Sequence, residues 1–242
     1  MVILLTGCIN PNGMILTSLN DKEIRKQQYV DAIKFYLNNT KYPIVFTENS
    51  NTNINYLFPD DIKSGRMECL TFPGNQNKER GKGFGECEII QYALTHSTLI
   101  RSHRAQRIAK ITGRLIVRNI QDIIRWHTTF SSRQTTFCAI NSDLSFPDSR
   151  FIIAAEEFYQ TFLKRKDFVN DQEGYYFEHA LCDTIKNENQ FNYSPFFIMP
   201  QIEGISGSTG IAYTSKKQTL STAYRYARFG LSLRYRFNKQ YR

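Results

Sequence analysis

Gly81-Lys82-Gly83-Phe84-Gly85-Glu86 is the stretch whose residue types could do chemistry by themselves. It leads into an amphipathic run, Glu86 to Ser97, with Ile89, Ile90, Ala93 and Leu94 on one face. A glycine-rich turn feeding a helix N-terminus offers unpaired backbone N–H groups and the positive end of the helix dipole. Lys82 adds a cation, so the stretch suits a diphosphate; it equally suits a plain loop-to-helix turn, and both readings stay open here. Three phosphate motifs are excluded. No Gly-Lys-Ser/Thr closes a Walker loop, Glu86 stands where a dinucleotide fingerprint needs its third glycine, and no Val-Ala-Ile-Lys strand accompanies a kinase-type loop. His96, His103, His127 and His179 show no paired metal spacing, and no Gly-x-Ser-x-Gly or Cys/His nucleophile pattern occurs.

The surrounding pattern says what must position that stretch. Val2 to Leu5 reads as a buried strand closed by Gly7 and Asn10-Pro11-Asn12-Gly13. Asn20-Asp21-Lys22-Glu23 resembles a capping box, and Tyr29, Val30, Ile33, Tyr36 and Leu37 then recur at helical spacing to about Asn38. Tyr42 to Phe46 is a second strand, ending in Glu48-Asn49-Ser50. Strand, helix and strand with short links predict a right-handed βαβ unit in a parallel sheet, whose ligands bind beyond the carboxyl ends of its strands. Strands are further expected at Met67–Phe72, Ile108–Val117, Thr135–Ile140 and Phe196–Met199. Helices are expected after Asn119 as cap, over Phe151–Leu163 and over Gly174–Ile185, with a basic, polar helix end and loop over His96–Gln106 and polar loops at 141–150 and 204–210. The expected fold class is α/β: a Rossmann-like, mostly parallel sheet flanked by helices.

Charge divides the 242 residues. The net charge is +9, from 31 basic and 22 acidic residues. Residues 216–242 hold Lys216, Lys217, Arg225, Arg228, Arg234, Arg236, Lys239 and Arg242 and no acid, so 23 bases face 22 acids in the rest. The expected organisation is therefore one domain over 1–215 and a basic, aromatic segment over 216–242. A nucleic-acid enzyme more often spreads its bases over its body, which makes nucleic acid an unlikely partner. The five cysteines, Cys8, Cys69, Cys87, Cys138 and Cys182, are odd in number and contain no Cys-x-x-Cys, the pattern of reduced thiols in a cytoplasmic protein. Leu5-Thr6-Gly7-Cys8 looks like a lipoprotein cleavage box but lacks a basic n-region and a long apolar run, and is not read as one. No apolar run approaches the roughly 18–20 residues of a membrane span.

The order βαβ, strand, Gly81-Lys82-Gly83, helix, strand with polar tip resembles nucleotide-sugar glycosyltransferases of the GT-A type. Gly-Lys-Gly-x-Gly-Glu with Lys110-Ile-Thr112-Gly113-Arg114 looks like small bacterial transferases of capsule and O-antigen assembly. The resemblance covers roughly residues 1–200 and implies sugar transfer from a nucleoside-diphosphate sugar to a glycan or lipid-linked acceptor. In that family the strand after the helix ends in an Asp-x-Asp metal site; this one ends in Thr112-Gly113-Arg114, and Asp-x-Asp occurs nowhere. Leaving-group charge must then be neutralised another way, and a guanidinium fork at Arg114 suits phosphate. Mn²⁺ or Mg²⁺ remains possible, with Asp143 and Asp148 as substitute ligands, but no metal residue is assigned. The donor-site expectation is Glu48, Asn49, Ser50, Gly81, Lys82, Gly83, Thr112, Gly113 and Arg114. An inverting transfer needs a carboxylate base. Glu178, beside the apolar stripe Phe177, Ala180, Leu181 and Ile185, is the first choice and Asp148 the second; Arg150 and His179 are further candidates.

In the terminal segment Leu220, Tyr224, Ala227 and Leu231 share one helical face among the bases. That pattern suits an anionic membrane surface and a peripheral place at the inner face of the plasma membrane. Packing on the body as a closing helix or strand is the alternative. Two other functions compete: a nucleic-acid-binding module using this segment, and a non-catalytic protein of the same fold.

Overall fold

A computed structural model describes residues 1–11, 19–102, 107–129, 131–207, 209–215 and 219–242. Asn12 and Gly13 of the first loop, His103 to Gln106, Ser208, Lys216 and Lys217 lie outside the described residues. The elements in chain order are β1 (Val2–Gly7), α1 (Lys22–Asn39), β2 (Ile44–Glu48), α2 (Pro59–Lys63), β3 (Met67–Thr71), α3 (Lys82–His96), α4 (Thr98–Ser102), β4 (Arg107–Thr112) and β5 (Ile116–Val117). There follow α5 (Ile120–Thr129), β6 (Thr135–Phe137), β7 (Phe151–Ala155), α6 (Glu156–Leu163), α7 (Phe177–Asn187), β8 (Asn192–Ser194), β9 (Ile202–Ile205), β10 (Ala212–Tyr213) and α8 (Leu220–Tyr241).

Seven strands form the main sheet in the order β3-β2-β1-β4-β7-β6-β8, and β7 alone runs against the others. The fold class is thus α/β with a mostly parallel sheet flanked by helices. Every residue of β1 is buried, and its side chains alternate between two cores. Val2 and Leu4 belong to the core that α3, α6, α7 and the end of α8 share, and Ile3 and Leu5 to the core that α1 and α5 share. Each such aliphatic side chain contributes about 1.5–3 kcal/mol on burial, so both helical layers are anchored to this central strand. A small antiparallel sheet, β10-β9-β5, sits beside the main one.

Several local expectations are corrected. Asp21, not Asn20, caps α1, its carboxylate accepting from the N–H groups of Glu23 and Ile24. Helix α3 begins at Lys82, so Gly83 and Gly85 are its first turn; Gly81 alone is left-handed, at φ +92°. The strand expected over 108–117 stops at Thr112, and Ile116–Val117 joins the small sheet after a turn. Phe151 to Ala155 is strand rather than helix: an apolar run wholly buried between β4 and β6 fits either period, and pairing decides it. The last strand of the sheet is Asn192–Ser194, while Phe196–Met199 forms none. Asn119 does not cap α5 with its side chain, which instead bonds the backbone of Met199 and Gln201.

The basic C-terminal segment is helical, and it is partly core. Leu233 and Phe237 of α8 are buried with Tyr193 and Phe191, and Arg242 donates to the carbonyls of Ile185 and Phe191. Leu220, Tyr224, Leu231 and Tyr235 of the same helix are exposed.

Candidate active site

Because β1, β2 and β4 are parallel and in register, Thr6, Glu48 and Thr112 reach one edge of the sheet together. A cleft of about 880 Å³ opens there. A narrower slot of about 100 Å³ adjoins it, the two sharing Lys82, Glu86, Thr112, Arg114 and Gly207. The loop 139–150 and the β9–β10 hairpin form the far walls.

On one wall stand cations. Gly113 lets the chain turn against β1: its N–H donates to the Thr6 carbonyl at 2.8 Å, and a Cβ there would stand 2.7 Å from that oxygen. The turn delivers Arg114, 7% exposed, whose Nη1 donates to Gln28 Oε1 at 3.2 Å and to the Ile205 carbonyl at 3.1 Å. Its buried Nε has no partner, and no carboxylate pairs with it among the described residues. Arg25 is buried beside it, spending its donors on the carbonyls of Cys8 and Leu19. Burial, followed by the charges of Arg25 and Arg114, lowers the Lys82 pKa to about 8.

The N-terminus of α3 is not open. The Asp171 carboxylate accepts from the Gly83 N–H at 3.2 Å and lies where any Cβ on Gly81 would be. Burial raises its pKa despite these N–H bonds. The anion on the glycine stretch is therefore a carboxylate of the chain itself, and Arg114 is a cation that lacks a carboxylate partner among the described residues.

On the other wall the cations are paired. Lys110, fully buried in β4, bridges to Glu86 and donates to the Ser149 carbonyl at 2.6 Å. Thr6 Oγ1 donates to Glu86 Oε1 at 3.0 Å. Ser149 Oγ in turn donates to Glu178 Oε1 at 2.5 Å. Burial raises the Glu178 pKa; Ser149 and Lys110 pull it down, and Glu86 pushes it up. Arg150 clamps Asp148, Nη2 to Oδ2 at 2.6 Å and Nε to Oδ1 at 2.9 Å, and lies 4.7 Å from the Tyr213 ring.

The cleft and its slot thus bring together Asn49, Lys82, Gly83, Thr112, Arg114, Asp148, Arg150 and Glu178 of the sequence-derived set. They leave out others. Glu48 is fully buried, its carboxylate occupied by the N–H groups of Ser50 and Thr52 and the hydroxyls of Ser50 and Thr71, so it shapes the loop rather than facing a ligand. Ser50 is held by Glu48 and the Asn10 N–H. Gly81 and Gly113 act through the backbone. Asp143 is exposed and bonds Ser145, and His179 caps α7 by accepting from the Tyr176 N–H; neither lines the cleft. Among the described residues no three His, Cys, Asp or Glu side chains gather as a metal site would need. The acids of the cleft do not fit one, being engaged separately by Lys110, Ser149, Arg150 and the α3 N-terminus.

Sequence reasoning missed Arg25, Glu86, Lys110, Ser149 and Asp171. Lys110 carried a readable signal: a lysine inside Ile108-Ala-Lys-Ile111 must be paired if the strand is buried. Its partner came from 24 residues earlier on a separate element and had no local mark.

No protein-family model matches the chain, and no curated protein sequence matches it. Among solved structures, the fold resembles that of a galactosyltransferase, LgtC, in complex with donor and acceptor sugar analogues. The identity is 8%, the TM-score 0.47, and 96% of each chain is covered. It also resembles mouse xyloside xylosyltransferase 1 in its apo form, at 10% identity and a TM-score of 0.42, covering 81% of this chain and 83% of that one.

Proposed function

We propose that the chain is a glycosyltransferase that takes a sugar from a nucleoside-diphosphate donor to a glycan or lipid-linked acceptor in surface polysaccharide synthesis. The observation that carries the reading is the meeting, in one cleft, of Arg114, a buried guanidinium with no carboxylate partner among the described residues, with the half-buried carboxyl of Glu178, whose pKa burial raises. Arg114, with Lys82 and Arg25 behind it, would take the diphosphate and stabilise the charge that develops as it leaves. Such donors, already desolvated and fixed, reorganise little during the reaction. Glu178 would accept the proton of the acceptor hydroxyl. Its burial favours the neutral form, so taking a proton relieves a cost, and a raised pKa brings it nearer the working pH. Ser149 orients it, and the Lys110–Glu86 pair fixes Ser149. Asp148 is the weaker choice because Arg150 already holds both its oxygens.

The exposed line Leu220, Tyr224, Leu231 and Tyr235 on α8, with Arg225, Arg228 and Lys239 on the same helix, supports docking on an anionic membrane at its cytoplasmic face. No described helix is long and apolar enough to cross a membrane. The test of the chemistry is Glu178→Gln. Turnover with a panel of nucleoside-diphosphate sugars should fall by about 10²–10⁴-fold, while affinity for the donor nucleotide stays within about twofold, because the lost group acts in the transition state. Undiminished turnover, or an equal loss of donor affinity, would remove Glu178 from this role.

A further inference from the structure

A second concavity, of about 440 Å³, lies between α5 and α8 and is floored by β6 and β8. Its chemistry differs from that of the cleft. The chain's single tryptophan, Trp126, stands at its wall with 63% of its surface exposed. Asn192 and Asn238 are exposed, and neither side chain has a hydrogen-bond partner among the described residues; Arg234 has neither a hydrogen bond nor an ion pair there. Ser132 and Thr135 add hydroxyls. No acid lines it. His127 does not supply free chemistry, since its ring takes the Phe197 N–H at 2.8 Å and faces the Ile123 carbonyl at 2.8 Å.

An aromatic face beside uncommitted amides matches a sugar ring, which presents C–H groups on one face and hydroxyls at its edge. A concave, amide-lined wall does not match a bilayer. The unpaired guanidinium adds a preference for a carboxylate, which it can hold by two parallel bonds. Position supplies the link to the cleft. Thr135 and Phe137 line the groove, while Ala139 and Ile140, two or three residues further along the same chain, line the cleft. At about 3.3 Å per residue, that is roughly 7–10 Å along the strand direction.

We propose that this groove binds an acidic oligosaccharide, with Trp126 stacking on a sugar ring and Arg234 taking a uronate carboxylate, as an upstream subsite for the growing acceptor chain. The acceptor role rests on the proposed activity; the binding itself does not. Because Trp126 is the only tryptophan, its fluorescence reports on the groove directly. The full chain should show saturable quenching with hexasaccharides of alternating uronic acid and hexosamine, or of uronic acid alone, and at least tenfold weaker response to neutral maltohexaose. Arg234→Ala should remove the preference for the acidic chains, and Asn192→Ala should weaken both classes. Glu178→Gln should quench as the unaltered chain does, so failed chemistry and a failed groove remain distinguishable. No saturable response to any acidic hexasaccharide would overturn the proposal. So would a blue shift with phosphatidylglycerol vesicles that the oligosaccharides do not compete away, which would assign the surface to a membrane. Calorimetry on Trp126→Phe, exposed enough to fold normally, should find the affinity reduced at least fivefold; an unchanged affinity would also overturn it.

Discussion

On one wall of the cleft Arg114 and Arg25 are buried with no carboxylate paired to them among the described residues; on the other, Lys110 is buried more completely and has Glu86 against it. Both walls grow from the ends of the same parallel strands, and β4 supplies both Lys110 and the turn to Arg114. The difference is one of completeness. Lys110 has a carboxylate and a carbonyl, so its wall is closed in charge and serves to hold Ser149 and Glu178 in place. The guanidiniums opposite donate to carbonyls and an amide oxygen, all but Nε of Arg114, and neither has a counter-charge among the described residues. Desolvated charge without a counter-charge is costly, and an anionic ligand is what removes that cost.

The comparison breaks most visibly in stability. Lys110→Met leaves Glu86 without its counter-charge and should cost about 3 kcal/mol, the low end for a broken buried pair because Glu86 keeps a partly open side. Lys110→Met combined with Glu86→Gln should recover most of that loss, since a neutral pair of similar volume leaves no orphaned charge. Urea unfolding of the two variants reads this. Equal destabilisation of single and double variants would mean that Lys110 matters for its packing and its bond to Ser149, and the two walls would not differ as described.

Arg114→Ala tests the opposite wall, where the effect should fall on binding. A lost bond from a charged donor to phosphate is worth about 1.5–3 kcal/mol, or roughly 10–150-fold in affinity for a nucleoside diphosphate. The melting temperature should change little, because no ion pair is broken. Titrations in EDTA and in Mn²⁺ should give the same loss. If Mn²⁺ restored the affinity of the variant, charge neutralisation would belong to a metal and not to this arginine.

The fold was legible where local pattern and pairing agree. The apolar run of β1, the helical spacing of Tyr29, Ile33 and Tyr36, and the short link to β2 announce a βαβ unit, and with it the edge where Thr112 and Arg114 emerge. Phe151 to Ala155 was not legible, because a continuous apolar run carries no period and only its place between β4 and β6 makes it a strand. The cation wall was half legible: Arg114 was, but Arg25 sits in an amphipathic helix and looks like any surface base until α1 turns it towards Cys8. The acid wall needed long-range pairing. Glu178 stood out by its apolar neighbours, yet Glu86, Lys110 and Ser149 meet it only when α3, β4 and the loop before β7 come together.

Lys82 gives the smallest and most diagnostic effect. Its ordinary pKa of 10.5 is lowered to about 8, by burial first and then by Arg25 and Arg114, with Asp171 opposing. A folded pKa below the unfolded one means that the folded chain binds fewer protons between about pH 8 and 10.5, so its contribution to stability rises with pH across that window. A bound diphosphate reverses the local balance, because it favours the ammonium form. Binding near pH 9 should therefore take up a proton, and affinity should fall as pH rises through 8, by about threefold to tenfold by pH 9.5 for one partly screened charge. Lys82→Arg, charged throughout that range, should flatten the profile while keeping most of the neutral-pH affinity. Isothermal titration in two buffers of different ionisation enthalpy counts the proton directly. A profile that still falls in Lys82→Arg would assign the titration to another group and detach Lys82 from the cation wall.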